Sequence, residues 1–473
     1  MNTFRNLASG AIAIAALTAC GGGGGADPGG GAASIELPVT LGQAGPGDPE
    51  GYFPLAQGNF WHFRGTAVEN GVPTPFETSV QVSGTSVVGG VTALVVRESD
   101  PTVGGCCSFS EQAVVKDPNG LAVLAESTDP LTKSLAPYWE LRFPLNSGLE
   151  FVQIDRLAID IGQDLDGDGI NEWADVHSIA TVIGFETVSA PAGTFSEAAH
   201  IRRQVALKFH MSRDGQVVEA SETGNTWFAR GVGWVRRTSA VSVLGQSSTS
   251  DESLDAYFVD GVAGGGIQEA ADPVQNSSLG PEGTSFWLWR NVAAGRHTVA
   301  LTGRTGDARL RILAGSCTAG SGSTLPPEDC SFDASTGPVV VQVTGTAGTH
   351  YQLWHAPTPR VLTPANEVRA ITAGVPTVGQ VATRSDSRYE VTGLTPGNYT
   401  ISIAGLSADA DLKVYFDGTY SMEQDCTLRA AGDVLPQPED CTTASPGSLY
   451  FSVRSGEVNR DGASYLMLVH AAP

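Results

Sequence analysis

The sequence predicts a chain that is mainly β, with an antiparallel sheet domain over residues 52–260 followed by two small β-sandwiches. Three observations point there. The chain carries 58 Gly with abundant Val and Thr, a composition that disfavours helices and suits short strands joined by tight turns. Before residue 260, no ten-residue window offers a convincing helical period, although one helix crossing the sheet has room near residues 125–136. After it, residues 285–357 recur as residues 387–473, an internal repeat.

In the first domain, Phe60-Trp61-His62-Phe63 alternates after Tyr52-Phe53-Pro54-Leu55, and strand signals follow around Val80/Val82 and at 93–96. Residues 112–116 and 121–125 flank Asp117-Pro118-Asn119-Gly120, a strong hairpin signal. Further strands are expected at 139–145, 150–161, 177–188, 200–210, 217–221 and 226–238, with a second hairpin turn at Ser212-Arg213-Asp214-Gly215. The aromatic side chains Trp61, Phe63, Trp139, Phe143, Trp227 and Trp234 are expected to fill the core of this domain.

The sharpest chemical motif lies between two of these strands: Asp164-Leu-Asp166-Gly-Asp168-Gly169-Ile170-Asn-Glu172-Trp-Ala-Asp175. Carboxylates fall at positions 1, 3, 5, 9 and 12, Gly169 at 6 and the Ile170 carbonyl at 7, which is the spacing of a calcium loop. Asp164, Asp166, Asp168, Ile170 and Asp175 are the expected ligands, with Glu172 direct or through water. The flanks alternate like strands, so the sequence predicts a calcium clip without the usual helix pair.

In the repeat, Ser285–Gly303 aligns with Ser387–Gly405, and Asp307-Ala-Arg-Leu310-Arg-Ile312 with Asp409-Ala-Asp-Leu412-Lys-Val414. Both copies then carry a Cys, a Pro-Glu-Asp-Cys run and a closing strand pair. Each copy alternates strictly over a domain-sized length, hence two sandwiches at 276–357 and 375–473, joined by Pro- and Gly-rich linkers at 261–275 and 358–374. Equivalent positions make Cys317–Cys330 and Cys426–Cys441 the economical disulfides, each closing a loop of about 15 residues worth roughly 3 kcal/mol. Adjacent Cys106-Cys107, after two glycines, is expected to be a vicinal disulfide of structural kind.

Several stretches resemble known families. Arg5, the apolar run 8–17 and Leu17-Thr18-Ala19-Cys20 look like the signal peptide and lipobox of bacterial lipoproteins, the run being too short to span a bilayer. The resemblance implies cleavage of residues 1–19 and a lipid on Cys20. Gly21 follows where an inner-membrane retention signal would place Asp, which implies the outer membrane, at its periplasmic face or at the cell surface. Residues 20–51 are Gly- and Pro-rich, a flexible tether with a reach of roughly 30 Å.

Three islands in the first domain, Tyr52-Phe-Pro-Leu55 with Gly58 and Trp61, Pro191-Ala-Gly-Thr-Phe195 and Trp227-Phe-Ala-Arg-Gly-Val-Gly233, resemble the lipoprotein-carrier proteins. That implies a curved antiparallel half-barrel with a concave face for an apolar ligand. Both repeats look like the bacterial pre-peptidase C-terminal domain, through Val391-Thr-Gly-Leu-Thr-Pro-Gly-Asn-Tyr-Thr400, Asp409-Ala-Asp-Leu-Lys-Val-Tyr415 and Leu449-Tyr-Phe451. No peptidase domain precedes them, which leaves a binding or spacer role.

Composition bounds the partners. The balance is 27 basic against 50 acidic residues, a net charge of −23, which repels nucleic acid and anionic headgroups. The lipid is therefore the expected membrane contact. No His-Glu-x-x-His, no Gly-x-Ser-x-Gly and no Cys beside a base occurs. The sequence leans away from catalysis and leaves three readings. The first is a tethered module that binds or displays a polysaccharide or peptide, the second a carrier of an apolar ligand, and the third a surface hydrolase without a local motif.

Overall fold

The computed structural model describes residues 51–99, 109–126, 130–270, 273–313, 328–334, 337–357, 368–383, 385–420, 423–424, 438–455 and 462–472. Two compact units emerge, Met1–Gly265 and Gly266–Pro473. Cys20, Cys106, Cys107, Cys317 and Cys426 lie outside the described residues.

The first unit is built from β1 (Phe60–Glu69), β2 (Val72–Val88), β3 (Val91–Ser99), β4 (Phe109–Asp117), β5 (Gly120–Glu126), α1 (Pro130–Leu135) and β6 (Tyr138–Arg142). It continues through β7 (Glu150–Asp160), β8 (Trp173–Ala190), β9 (Gly193–His210), β10 (Val217–Ala229), β11 (Gly233–Val243), β12 (Gln246–Val259) and β13 (Val262–Gly264). All thirteen strands share one sheet, in the order β6-β5-β4-β3-β2-β1-β12-β11-β10-β9-β8-β7, with β13 on β12. Every ladder in it is antiparallel. The expected curved sheet is present and continues round until its two end strands meet. Across that seam the contacts come from side chains: Gln153 Nε2 reaches the Glu140 carbonyl at 3.4 Å, and Arg156 Nη2 donates to the Pro137 carbonyl at 3.0 Å.

Hairpins set the register. Asp117 pairs with Gly120 across the expected turn, and a Cβ at residue 120 would meet the Leu141 carbonyl at 2.1 Å, so only Gly lets β6 approach. His210 pairs with Val217 across the second predicted turn. The single strand expected over 226–238 is instead two, β10 and β11. Gly231, at φ 69°, makes the turn, and its N–H donates to the Gly51 carbonyl. The one helix among the described residues, α1, falls inside the window left open for it.

The interior of this sheet is the core. Trp61, Phe63, Phe53, Phe209 and Phe228 are among its fully buried rings. The first and third sequence islands meet here: Phe53 packs on Phe228 at 5.7 Å, Arg230 Nε donates to the Tyr52 hydroxyl, and Trp234, just beyond the third island, meets Phe53 edge-on at 4.5 Å and Trp61 at 5.0 Å. The expected aromatic filling is present for Trp61, Phe63 and Trp227, while Phe143 and Trp234 pack at its margin.

In the second unit, the first copy comprises β14 (Ile267–Glu269), β15 (Val274–Ser278), β16 (Thr284–Val292), β17 (Gly295–Thr302), β18 (Ala308–Ile312), β19 (Glu328–Ala334), β20 (Gly337–Gly345) and β21 (His350–Pro357). The second comprises β22 (Arg369–Ala370), β23 (Thr377–Val381), β24 (Asp386–Thr392), β25 (Gly397–Ala404), β26 (Ala410–Tyr415), β27 (Glu423–Gln424), β28 (Glu439–Ser445), β29 (Ser448–Ser455) and β30 (Ala463–Ala471). The sheets read β14-β16-β20-β18 and β15-β21-β17-β19 in one, β22-β24-β29-β26-β27 and β23-β30-β25-β28 in the other. These are the same topology plus one edge strand, as the repeat predicts.

Two boundaries differ from expectation. Parts of the presumed linkers are structural, since β14 and β22 each add a parallel edge strand to β16 and β24 of their sandwiches. The two copies also share an apolar cluster of Ala300, Trp354, Ala356, Ala404, Leu466 and Leu468, so they pack together within one unit.

Candidate metal centre and a charged interior

The acidic motif is the connection between β7 and β8. Its neck is closed by backbone bonds, Ile161 N–H to the Glu172 carbonyl and Glu172 N–H to the Gln163 carbonyl, both 3.0 Å. Between them the chain turns tightly at Gly167 and Gly169, with φ of 79° and 89°, values an L side chain resists. Asp164 organises the turn: its carboxylate accepts the N–H groups of Gly167 (2.6 Å), Asp168 (3.2 Å) and Gly169 (2.7 Å). The Gly169 N–H above all holds its carboxyl below the usual range.

Carboxylate oxygens of Asp164, Asp166, Asp168 and Glu172 all lie within 4.8 Å of one another. Glu172 is fully buried, and its position at the neck turns its side chain inward, where Oε2 accepts from the Leu165 N–H. The β9–β10 turn closes over the group. Ser212 Oγ donates to Asp168 Oδ2 at 2.9 Å and to Glu172 Oε1 at 3.2 Å, and the Arg213 N–H donates to Asp166 Oδ2 at 2.9 Å. The other Asp166 oxygen, Oδ1, is buried and has no hydrogen-bond partner.

Asp175 is not part of this group, which corrects its assignment as the closing ligand. It already sits in β8, opposite Lys208, and its carboxylate accepts from the Ala158 N–H at 3.0 Å and meets His210 Nε2 at 3.0 Å. Strand pairing fixes its direction, so the loop closes at its ninth position and not its twelfth. Ile170 has an exposed side chain, and its N–H donates to Asp168 Oδ1.

A second polar constellation, unmarked by any motif, lies inside the large sheet. Arg203 Nη2 meets Glu222 Oε1 at 2.6 Å; Arg237 meets Glu252 at 2.6 Å and both Glu98 oxygens at 3.3 Å. Burial pushes the Glu252 carboxyl up to about 7 although Arg237 opposes it, and burial likewise raises Glu140. Against desolvation, the neighbouring carboxylates hold both guanidinium groups above their ordinary value. The sequence carried a signal for this: Arg203 shares strand parity with buried Val205, Leu207 and Phe209, and Glu252 with buried Leu254 and Ala256. A charge at a core-facing position of a strand must be paired or functional.

A cavity of about 70 Å³ adjoins these charges, lined by polar groups and by Phe53, Phe228 and Trp234. Among the described residues, no helix is long and apolar enough to cross a membrane.

No protein-family model matches the chain, and no curated protein matches it. Among solved structures, it is similar to a presumptive lipoprotein from Parabacteroides distasonis ATCC 8503, at 15% identity over 44% of this chain and 99% of that one, with a TM-score of 0.31. It is also similar to a presumptive exported protein with a YmcC-like fold from Bacteroides fragilis NCTC 9343, at 14% identity over 43% and 97%, with a TM-score of 0.23. Likenesses at these scores bear on no functional argument.

Proposed function

We propose that the chain is a non-catalytic lipoprotein of the bacterial outer membrane, a calcium-clipped module that binds or displays a polysaccharide or peptide outside the cytoplasm. The observation that carries the calcium part is the meeting of Asp164, Asp166, Asp168 and Glu172 within 4.8 Å, with the buried Asp166 Oδ1 left unpartnered. Hard oxygen donors on a loop with tight glycine turns suit calcium better than magnesium, which demands a smaller octahedron and keeps its waters. The Ile170 carbonyl completes the set. Bound there, the ion neutralises carboxylates that otherwise repel one another and ties the β7–β8 connection to the β9–β10 turn. The clip is structural.

The display reading is favoured over the apolar-carrier reading by the buried rings of Phe53, Trp61, Phe209 and Phe228, which occupy much of the interior of the large sheet. The two sandwiches serve as stalk or additional contact surface. Affinity belongs to the weak extracellular class, about 10⁻⁴–10⁻³ M. At free calcium tenfold above the dissociation constant, linkage adds roughly 1.4 kcal/mol to the first unit. The test is thermal melting in millimolar calcium, in magnesium and in chelator, for wild type and the Asp166→Ala/Asp168→Ala double variant. Calcium alone should raise the wild-type transition. Equal melting of both proteins under every condition would reduce the loop to an acidic turn.

A further inference from the structure

Four carboxylates, Glu98, Glu140, Glu222 and Glu252, face two guanidinium groups, Arg203 and Arg237. Arg237 is engaged on both sides, by Glu98 and by Glu252. Arg203 is shared between Glu222 and Glu140, whose carboxylates both act on it. Glu222 is 3% exposed, its Oε1 lies on Arg203, and its Oε2 has no hydrogen-bond partner. A buried carboxylate oxygen without a donor forfeits a charge-assisted hydrogen bond.

The cavity of about 70 Å³ is lined by Glu222, Glu140 and Glu98 together with the paired Arg203 and Arg237, and by apolar residues that include Phe53, Phe228 and Trp234. Its volume admits about five water-sized groups. These carboxylates do not bring three ligand oxygens together, since the only such group among the described residues is the β7–β8 loop. A bare metal ion is therefore a poor match. An occupant with one positive, hydrogen-donating head and a short apolar stem satisfies both the unpartnered Glu222 oxygen and the apolar lining.

We propose that this cavity binds a small alkylammonium ion, its –NH₃⁺ head on Glu222 Oε2 and its stem among Phe53, Phe228 and Trp234. The way in is the seam between β6 and β7. Glu140 and Leu141 of β6 and Gln153 of β7 line the cavity, and β6 and β7 are the two ends of the sheet. The side-chain bond Gln153 Nε2 to Glu140 Oε2, at 3.3 Å, crosses that seam. Its opening breaks side-chain contacts and no strand ladder. This inference stands apart from the calcium loop and does not depend on it.

The experiment uses the full chain in calcium, titrated calorimetrically with n-propylammonium, with the neutral isostere 1-propanol, and with sodium chloride at matched ionic strength. Saturable binding of n-propylammonium alone is expected. Glu222→Gln should weaken it about tenfold or more, and Ala180→Val, which fills the cavity while keeping every charge, should do the same. Ala180 lines the cavity and takes part in no ion pair described above. Should the Gln variant fail to fold, Ala180→Val and the isostere comparison decide. Absence of saturable heat in wild type, equal binding of 1-propanol, or unchanged binding in a folded Ala180→Val protein overturns the proposal.

Discussion

At the scale of single residues, burial sets protonation in the sandwiches. His297 Nε2 meets the Ala293 carbonyl at 2.9 Å, and its Nδ1 meets His355 Nε2 at 2.9 Å. Desolvation, then the neighbouring His297, pushes His355 down to about 4; desolvation does the same to His470. A folded value below the unfolded one, near 6.5, means the unfolded chain binds more protons between those values. The contribution of both rings is complete above about pH 6.5 and is lost as pH falls toward 4. Glu439 works in the opposite sense. Burial raises its carboxyl to about 7, so its effect on stability worsens as pH rises from the ordinary carboxylate value through 7. We predict that the ring protons of His355 and His470 titrate near pH 4 by NMR, and that His355→Gln flattens the fall in melting temperature between pH 6.5 and 4. Titration of both rings above pH 6 would contradict the burial argument.

At the scale of elements, one strand pattern does two different jobs. In the first unit, β7 and β8 continue as a ladder on either side of the acidic loop, so the loop is gripped at its neck by sheet pairing and not by helices. In the second unit, β19 and β28 are equivalent strands whose cysteines, Cys330 and Cys441, are wholly buried opposite Val299 and Ile401. Equivalent Glu328 and Glu439 each accept a backbone N–H, from Leu310 and Leu412. Cys317 and Cys426 lie outside the described residues, and the pairs Cys317–Cys330 and Cys426–Cys441 are proposed from the sequence repeat. Non-reducing peptide mapping should recover each pair within its own copy, and reduction should lower the stability of each by roughly 3 kcal/mol. A pair that joins the two copies would overturn the assignment.

At the scale of the whole molecule, the proposed lipoprotein reading makes the polyanionic chain a cargo for a tether. A net charge of −23 repels anionic headgroups, so on that reading attachment falls to the lipid proposed on Cys20. One acyl chain holds a protein only marginally, and stable anchoring takes more than one. Replacing Cys20 with Ser should move the protein from the membrane fraction to the soluble fraction and remove the acyl mass. Unchanged fractionation and mass would sink the lipoprotein reading.

What the sequence determined alone was whatever is encoded locally. Alternation, the Asp-Pro-Asn-Gly turn and the internal repeat were enough for the β class, the hairpins and the matched sandwiches, because strand parity and turn chemistry depend on near neighbours. Asp164, Asp166, Asp168 and Glu172 were legible as a set for the same reason. Tertiary structure decided what depends on distant strands. Pairing with β9 and the pull of His210 turned Asp175 out of the loop, and the Ser212-Arg213 turn closed over it. Curling of the sheet brought Glu140 of β6 to Arg203 of β9 and Glu222 of β10. Arg203 could be read as core-facing from its own strand, but which charges share one cavity with it is fixed only when the first and last strands of the sheet meet.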